Sequence, residues 1–548
     1  MRLAIREYLA GLRESGELDV LLPDLLLSMG IRPLERPMRG VRQYGVDVAA
    51  VGQLPGMEDE GDVLALFVIK SGNIGRTDWE GTPQAVRPSL DDVRYEYVRN
   101  CIPPEYENLP IVVTLCCGGV IEQTVSQSLT AFKDAYQTDR VRLANWDGDF
   151  LSILVEQHMM DEPAFPTISR DRLRRALALV DLNEYTLSDY YTLLSELLPD
   201  YAQGLSDRER RHRLRQVNLC LRMLTRWAEQ ADNLRQPLIA AERTVLLSWD
   251  WTRKLGFPAT LWSEFGKVYR SYDYVQGQYF AKLWPALQVQ DGLFGYGGDR
   301  IEYPIRVFEA IGFLALRGFE LLARPATSRN RAAVGHVAGG LSALVASNPA
   351  SKSPCFDDQS IEISLAAYFL YHSGWKDATV SWIQGLSRHI ANAVRIGRSY
   401  PLSSDSYDEL IDMEAGSWSA PDEGMTLSTI LPMLADWMLI LGMKDERDHL
   451  AEIIHDQLGT TTLQQWYPDG TSEEHVYSGN AANKSGTTLV IRELPASRTE
   501  ATERIAVIRR ELPQPAFSCV TNGLPQLLAI AARHFRTPLD PAAHQSLI

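Results

Sequence analysis

Two apolar strands, the first carrying an acid and the second ending on a lysine, constrain this chain more than any other feature. Between Arg39 and Trp79 the sequence runs RGVRQYGVDVAAVGQLPGMEDEGDVLALFVIKSGNIGRTDW. Gly45 to Ala50 predicts a strand bearing Asp47, Met57 to Asp62 an acidic Gly-containing turn, and Val63 to Lys70 a second strand. Residues two apart on a strand share a face, so Val68 and Lys70 are predicted to point one way and Ile69 the other. An acid on one strand and a lysine at the end of its neighbour converge on one point. That arrangement suits holding a divalent cation beside a phosphate and neutralising the charge that develops in phosphodiester cleavage.

The flanking sequence extends the pattern. Leu18 to Met29, closed by Gly30, predicts a helix with Asp19 near its start. Pro110 to Leu115 predicts a third strand, Gln123 to Tyr136 a helix, and Val141 to Trp146 with Asp149 to Leu154 a closing strand and helix. Over roughly Met1 to Met160 this order resembles the restriction-endonuclease-like, or PD-(D/E)XK, superfamily, particularly its Mrr-like branch. The resemblance implies that Asp47 binds metal (Mg²⁺ or Mn²⁺), that Lys70 is the catalytic lysine, and that Asp19 is the helix acid, catalytic and metal-binding with Asp47. It also implies a nucleic-acid substrate, with DNA favoured over RNA, and a setting in prokaryotic restriction or anti-phage defence.

One position departs from the family pattern. Where the motif has Glu or Gln two residues before the lysine, this chain has Val68, which cannot ligate a metal. Either another acid substitutes, with Asp19, Glu35, Asp78 and Glu80 as candidates, or the domain is a catalytically inactive scaffold or sensor subunit. Ser71 to Ser89, interrupted by glycines and prolines, is expected to be a loop at the rim of the site. There Arg76 is a candidate phosphate contact and Trp79 a candidate base-stacking residue. Arg39 and Arg42, with Arg32 and Arg36, form a basic cluster beside the site, with a solvated loop paired to nearby acids as the alternative.

Charge limits the nucleic-acid reading. The chain of 548 residues has a net charge of −16. Met1 to Met160 holds 15 Lys and Arg against 24 Asp and Glu, so this part lacks the basic footprint of a stand-alone DNA binder. Hydrophobic content of 45% with 23% charged residues is that of an ordinary globular protein. No apolar run approaches the roughly 18–20 residues that span a bilayer, and the first residues lack a secretory signal pattern. The six cysteines lie apart from any CxxC pair, which predicts reduced thiols in a cytoplasmic protein. Cys116-Cys117 beside two glycines is expected to pack a strand end.

Beyond Pro163 and Pro166 strand-like runs largely give way to apolar residues at three- and four-residue spacing. The expected architecture is therefore an α/β restriction-endonuclease-like domain over 1–160, followed by a large all-α helical-hairpin domain over 161–548. A Ser-, Asp- and Pro-rich stretch near 399–424 is a candidate subdomain break. Ser206-Asp-Arg-Glu209 predicts a capped helix whose face bears Arg208, Arg210, Arg211, Arg213 and Arg215. Helical arrays of this kind make surfaces for protein partners. No Walker, dinucleotide, GxSxG or HExxH motif is present, so an ATPase or helicase, if the system uses one, is a separate protein. His475 with Asp469 or Glu473 lacks the frame of a metal site and reads as a loop histidine.

Overall fold

The computed structural model describes residues 2–35, 44–57, 61–160, 167–180, 182, 186–200, 204–297, 300–398, 401–415, 425–479, 485–511 and 516–539. The chain divides into two compact units. The first is Met1–Ala240 with Phe257–Ser271, and the second is Ala241–Gly256 with Tyr272–Ile548.

The first unit is built on a five-stranded mixed sheet in the order β1 (Arg32–Glu35), β2 (Val48–Gly52), β3 (Val63–Lys70), β4 (Ile111–Cys117) and β5 (Val141–Trp146). β1, β2 and β3 are antiparallel neighbours, while β3, β4 and β5 are parallel. Val63 through Ile69 and Ile111 through Cys117 are buried without a break. Strands covered on both faces read as continuous apolar runs for this reason. Parallel neighbours need crossovers. From β3 the chain returns through α3 (Arg76–Glu80), α4 (Val86–Asp92) and α5 (Val98–Asn100), and from β4 through α6 (Gln123–Tyr136).

Leu64, Leu66 and Val68 pack in one cluster with Val113, Leu90, Val93 and Tyr136. Towards the other face, Phe67 meets the Trp146 ring at 5.1 Å. Helices α1 (Arg2–Ala10) and α2 (Asp19–Met29) each pack against α7 (Gly148–His158).

Two stretches containing glycine and proline, of which Ser71 to Ser89 is expected to be a loop, contain regular structure. Ile31 to Gln43 opens with β1, which tolerates Pro33 because it is an edge strand and carries a register shift between Pro33 and Glu35. Ser71 to Ser89 contains α3 and the start of α4.

The expected boundary at 160 falls inside the first unit, which also takes in α8 (Thr167–Leu179), α9 (Ser188–Leu197) and α10 (Asp207–Gln230). Buried polar contacts account for this. Gln216 Nε2 donates to the Met159 carbonyl at 2.8 Å, and Arg215 reaches Glu264 at 2.7 Å. Lys267 pairs with Glu264 at 2.8 Å and also with Asp24 of α2. α11 (Arg235–Lys254) and α12 (Ala259–Leu287) each begin in one unit and end in the other.

The second unit is mostly helical. Its helices include α13 (Phe294–Gly297), α14 (Glu302–Leu322), α15 (Ser328–Ser347), α16 (Ser360–His372) and α17 (Lys376–Arg395). It is not all-α, however: β6 (Leu427–Ser428), β7 (Thr462–Tyr467) and β8 (Thr487–Ile491) form a second sheet. Of these, β8 pairs antiparallel with β7. Met425 to Leu458 contains β6 followed by two helices, Ile430–Leu441 and Lys444–Gln457. They are separated at Gly442, whose φ of 81° ends the first. No helix among the described residues is long and apolar enough to cross a membrane.

Candidate functional site

Asp47 enters the sheet from a turn that only glycine accommodates. Gly45 has φ +81°, and a Cβ there would lie 2.5 Å from the Ser89 carbonyl oxygen. Immediately after this turn the Asp47 N–H donates to the Phe67 carbonyl at 2.8 Å. The Ile69 N–H donates back to Asp47 Oδ2 at 2.7 Å. The acid is thus fastened beside the end of β3, one residue ahead of β2 rather than within the strand expected over Gly45 to Ala50.

The turn between α1 and α2 completes the group. At Glu14–Leu18 the chain is kinked, with Ser15 extended and Gly16 at φ +86°. Asp19 Oδ1 accepts from the Gly16 N–H at 2.7 Å, and Arg222 donates to the Glu17 carbonyl at 3.2 Å, holding the turn from α10. This places Glu14 Oε1 3.7 Å from Lys70 Nζ. Burial raises the Asp47 carboxyl to about 6. That value is a balance in which the charges of Glu14 and Asp19 also raise it, while the Ile69 hydrogen bond and Lys70 lower it. The three acids and the lysine therefore share one electrostatic environment.

Glu14 is the residue missed by sequence reasoning. Its signal was the acidic run Glu14, Glu17, Asp19 just ahead of α2, but nothing local ties that run to Lys70. Asp78 and Glu80 are committed elsewhere, since Asp78 Oδ2 accepts from the Gly75 N–H at 3.0 Å and Glu80 pairs with Arg87 at 3.0 Å. Glu35 ends β1, and its side chain lies outside the described residues, as do Arg39 and Arg42. Arg76 is exposed at the start of α3.

Trp79 is not a rim residue. It is 3% exposed and meets Phe132 edge-on at 5.5 Å, so its ring is used in packing rather than presented for stacking on a base. Val68 is fully buried in the apolar cluster, and no acid takes its place on β3.

No family model, curated protein or solved structure matches this chain. Its chemistry must be read from the residues alone. Among the described residues no group of three or more His, Cys, Asp or Glu is arranged to hold a metal ion. The donor set of Glu14, Asp19 and Asp47 nevertheless suits a hard cation in kind, because all three are oxygen ligands and their mutual repulsion is what a cation relieves.

The other expected features resolve as structural. Cys116 and Cys117 are buried, and burial pushes the Cys117 thiol up to about 12, away from nucleophilic use. Asp469 accepts from Thr471 and from the Gly486 N–H, and Glu473 accepts from Tyr477 and Ser518. The basic face of α10 is divided: Arg215 is buried against Glu264, Arg213 donates to the carbonyls of Glu196 and Leu197, and Arg208 is exposed.

Proposed function

We propose that the first unit carries a divalent-cation-dependent site for cleaving nucleic-acid phosphodiesters, built from Asp47, Lys70, Glu14 and Asp19 on a restriction-endonuclease-like frame. The observation that carries this reading is the convergence of Asp47, just ahead of β2, and Lys70, at the end of β3, with the Glu14 carboxylate. The strand order supports it. A helix with an N-terminal acid precedes an antiparallel β1–β2–β3 meander, and β4 then runs parallel to β3.

Asp47, with Glu14 or Asp19, would hold Mg²⁺ or Mn²⁺, and Glu14 would stand in for the acid missing at Val68. When bound, the cation supplies neutralisation of phosphate charge. Lys70 would orient the attacking water or donate to the phosphate oxygen on which charge builds. The Ile69 N–H holds Asp47 in place by fixing one carboxylate oxygen. DNA is favoured over RNA, and the setting proposed is prokaryotic defence against foreign DNA. The helical part would engage protein partners, with any ATPase or helicase supplied separately.

The test is cleavage of single- and double-stranded DNA and RNA in Mg²⁺ or Mn²⁺ by the parent chain and by Asp47→Ala, Lys70→Ala and Glu14→Gln. Loss in all three, with folding confirmed by circular dichroism, supports the site. Unchanged cleavage in Asp47→Ala and Lys70→Ala sinks it.

A second reading has its own support. Val68 is a core residue and the described acids include no ready-made metal trio. Both favour an inactive nuclease fold serving as a scaffold or sensor subunit. That reading requires no metal-dependent cleavage by the folded chain and a stable complex in pull-down.

A further inference from the structure

The second unit contains a cleft of about 400 Å³ between α12, α14 and α15 that joins a cluster of packed aromatic rings to a local excess of positive charge. Trp284 and His336 lie with ring centroids 3.8 Å apart, and Phe280 meets His336 edge-on at 5.4 Å. His336 is exposed. On α15, Gly340 permits this closeness, since a Cβ there would meet the Trp284 ring at 2.8 Å.

Arginines lie on both walls. Arg317 lines the cleft from α14 and pairs with Asp273 of α12, and Arg324, just past the end of α14, pairs with the same aspartate. These two guanidinium groups are balanced in formal charge by Asp273 and by Glu320, 3.5 Å from Arg324, so the net positive excess comes from the α15 wall. On α15, Arg329 is four and seven residues before Ala333 and His336, which line the cleft, so it continues their helix face. Arg329 and Arg331 are both exposed. From Leu321 to Phe356 the sequence contains no Asp or Glu, although the chain has 70 acidic residues. The basic character of this surface is therefore local and set against the net charge.

Aromatic faces within a cationic groove are the combination that binds unpaired bases and their phosphates: stacking tolerates any base, and the arginines track the backbone. We infer that this cleft binds single-stranded nucleic acid, with the exposed His336, backed by Trp284, stacking on a base, Arg317, Arg324 and Arg329 facing phosphates, and Arg331 adding positive charge on the same helix. This goes beyond the cleavage site and stands without it.

The experiment uses the full chain and a fluorescein-labelled oligothymidylate of about 20 nucleotides, followed by anisotropy at low and moderate salt. The exposed positions are changed so that folding is retained, and circular dichroism and thermal unfolding verify it. His336→Ala should weaken binding about fivefold or more, the loss of one stacking contact. Arg329→Glu with Arg331→Glu should weaken it about tenfold or more and flatten the salt dependence. Anisotropy is read in EDTA without added metal, so failure of the cation-dependent cleavage site leaves this readout unchanged and is distinguishable from failure of the cleft. The inference is overturned if the oligonucleotide does not bind, or if both cleft variants bind like the parent. It is equally overturned if polyglutamate of similar charge competes fully, which would make the cleft a site for acidic protein partners.

Discussion

Lys70 Nζ stands 3.7 Å from Glu14 Oε1, so the lysine at the end of β3 faces an acid supplied by the turn ahead of α2 rather than one from its own strand. With Val68 turned into the core, Glu14 is the carboxylate beside Lys70, and the proposed cleavage site uses it in place of a strand acid. Glu14→Gln should therefore reduce Mg²⁺-dependent cleavage by about 10²-fold or more, comparable to removal of a single electrostatic group in other active sites. Asp78→Asn, at a helix cap, should leave cleavage near the parent rate. Single-turnover rates on one DNA substrate check both, and equal rates for Glu14→Gln and the parent would remove Glu14 from the site.

The Asp47 carboxyl, held at about 6 by burial and by its acidic neighbours, carries a stability consequence of definite sign. Its folded value lies above the roughly 3.9 of an unfolded Asp. The folded state consequently bears the cost of a buried, repelled charge above about pH 6 and loses that cost as pH falls towards 4. Asp47→Asn keeps an acceptor for the Ile69 N–H and removes the charge. Without added metal it should be more stable than the parent by about 1–3 kcal/mol at pH 8, with the gain shrinking towards pH 4. Urea unfolding at several pH values measures this, and a pH-independent gain contradicts it.

Trp79→Ala should destabilise the first unit by about 3–5 kcal/mol, the usual cost of emptying a large buried aromatic site, because the ring is buried against Phe132. Arg76→Ala, on the exposed start of the same short helix, should change stability by less than about 0.5 kcal/mol. Chemical denaturation of the two variants side by side tests the contrast. Comparable losses would show that Trp79 is not the anchor.

Lys267 lies between Asp24 and Glu264, and all three side chains are buried. Lys267→Met strands the Asp24 charge without its partner and should cost about 3–5 kcal/mol. Adding Asp24→Leu to Lys267→Met should recover part of that loss, since removing both charges also removes the desolvation cost. A double-mutant cycle in urea reads the coupling, and strict additivity would show that the pair is not coupled.

Much of the first unit was legible because local pattern and final environment agree. The runs Val63–Ile69 and Ile111–Cys117 are apolar throughout and became doubly covered strands. Asp19 and Gly30 mark the two ends of α2 as helix-end chemistry requires. Two strands this near in sequence pair as neighbours, so the proximity of Asp47 and Lys70 was contained in the chain order.

What only the tertiary structure decided are the places where partners come from far along the chain. β1 has four residues and a proline, too short for any periodicity, and exists because β2 offers it a ladder. The α3 segment reads as a loop until Phe132 of α6 buries its tryptophan. Glu14 reaches Lys70 because Gly16 turns the chain at positive φ and Arg222 holds that turn from α10. The arginines beside Trp284 form a patch through the packing of three helices, although the absence of acids from Leu321 to Phe356 was present in the sequence from the start. Periodicity and capping act within a few residues and survive in any sequence window. Convergence of charges is set by contacts among distant segments, and no local pattern encodes it.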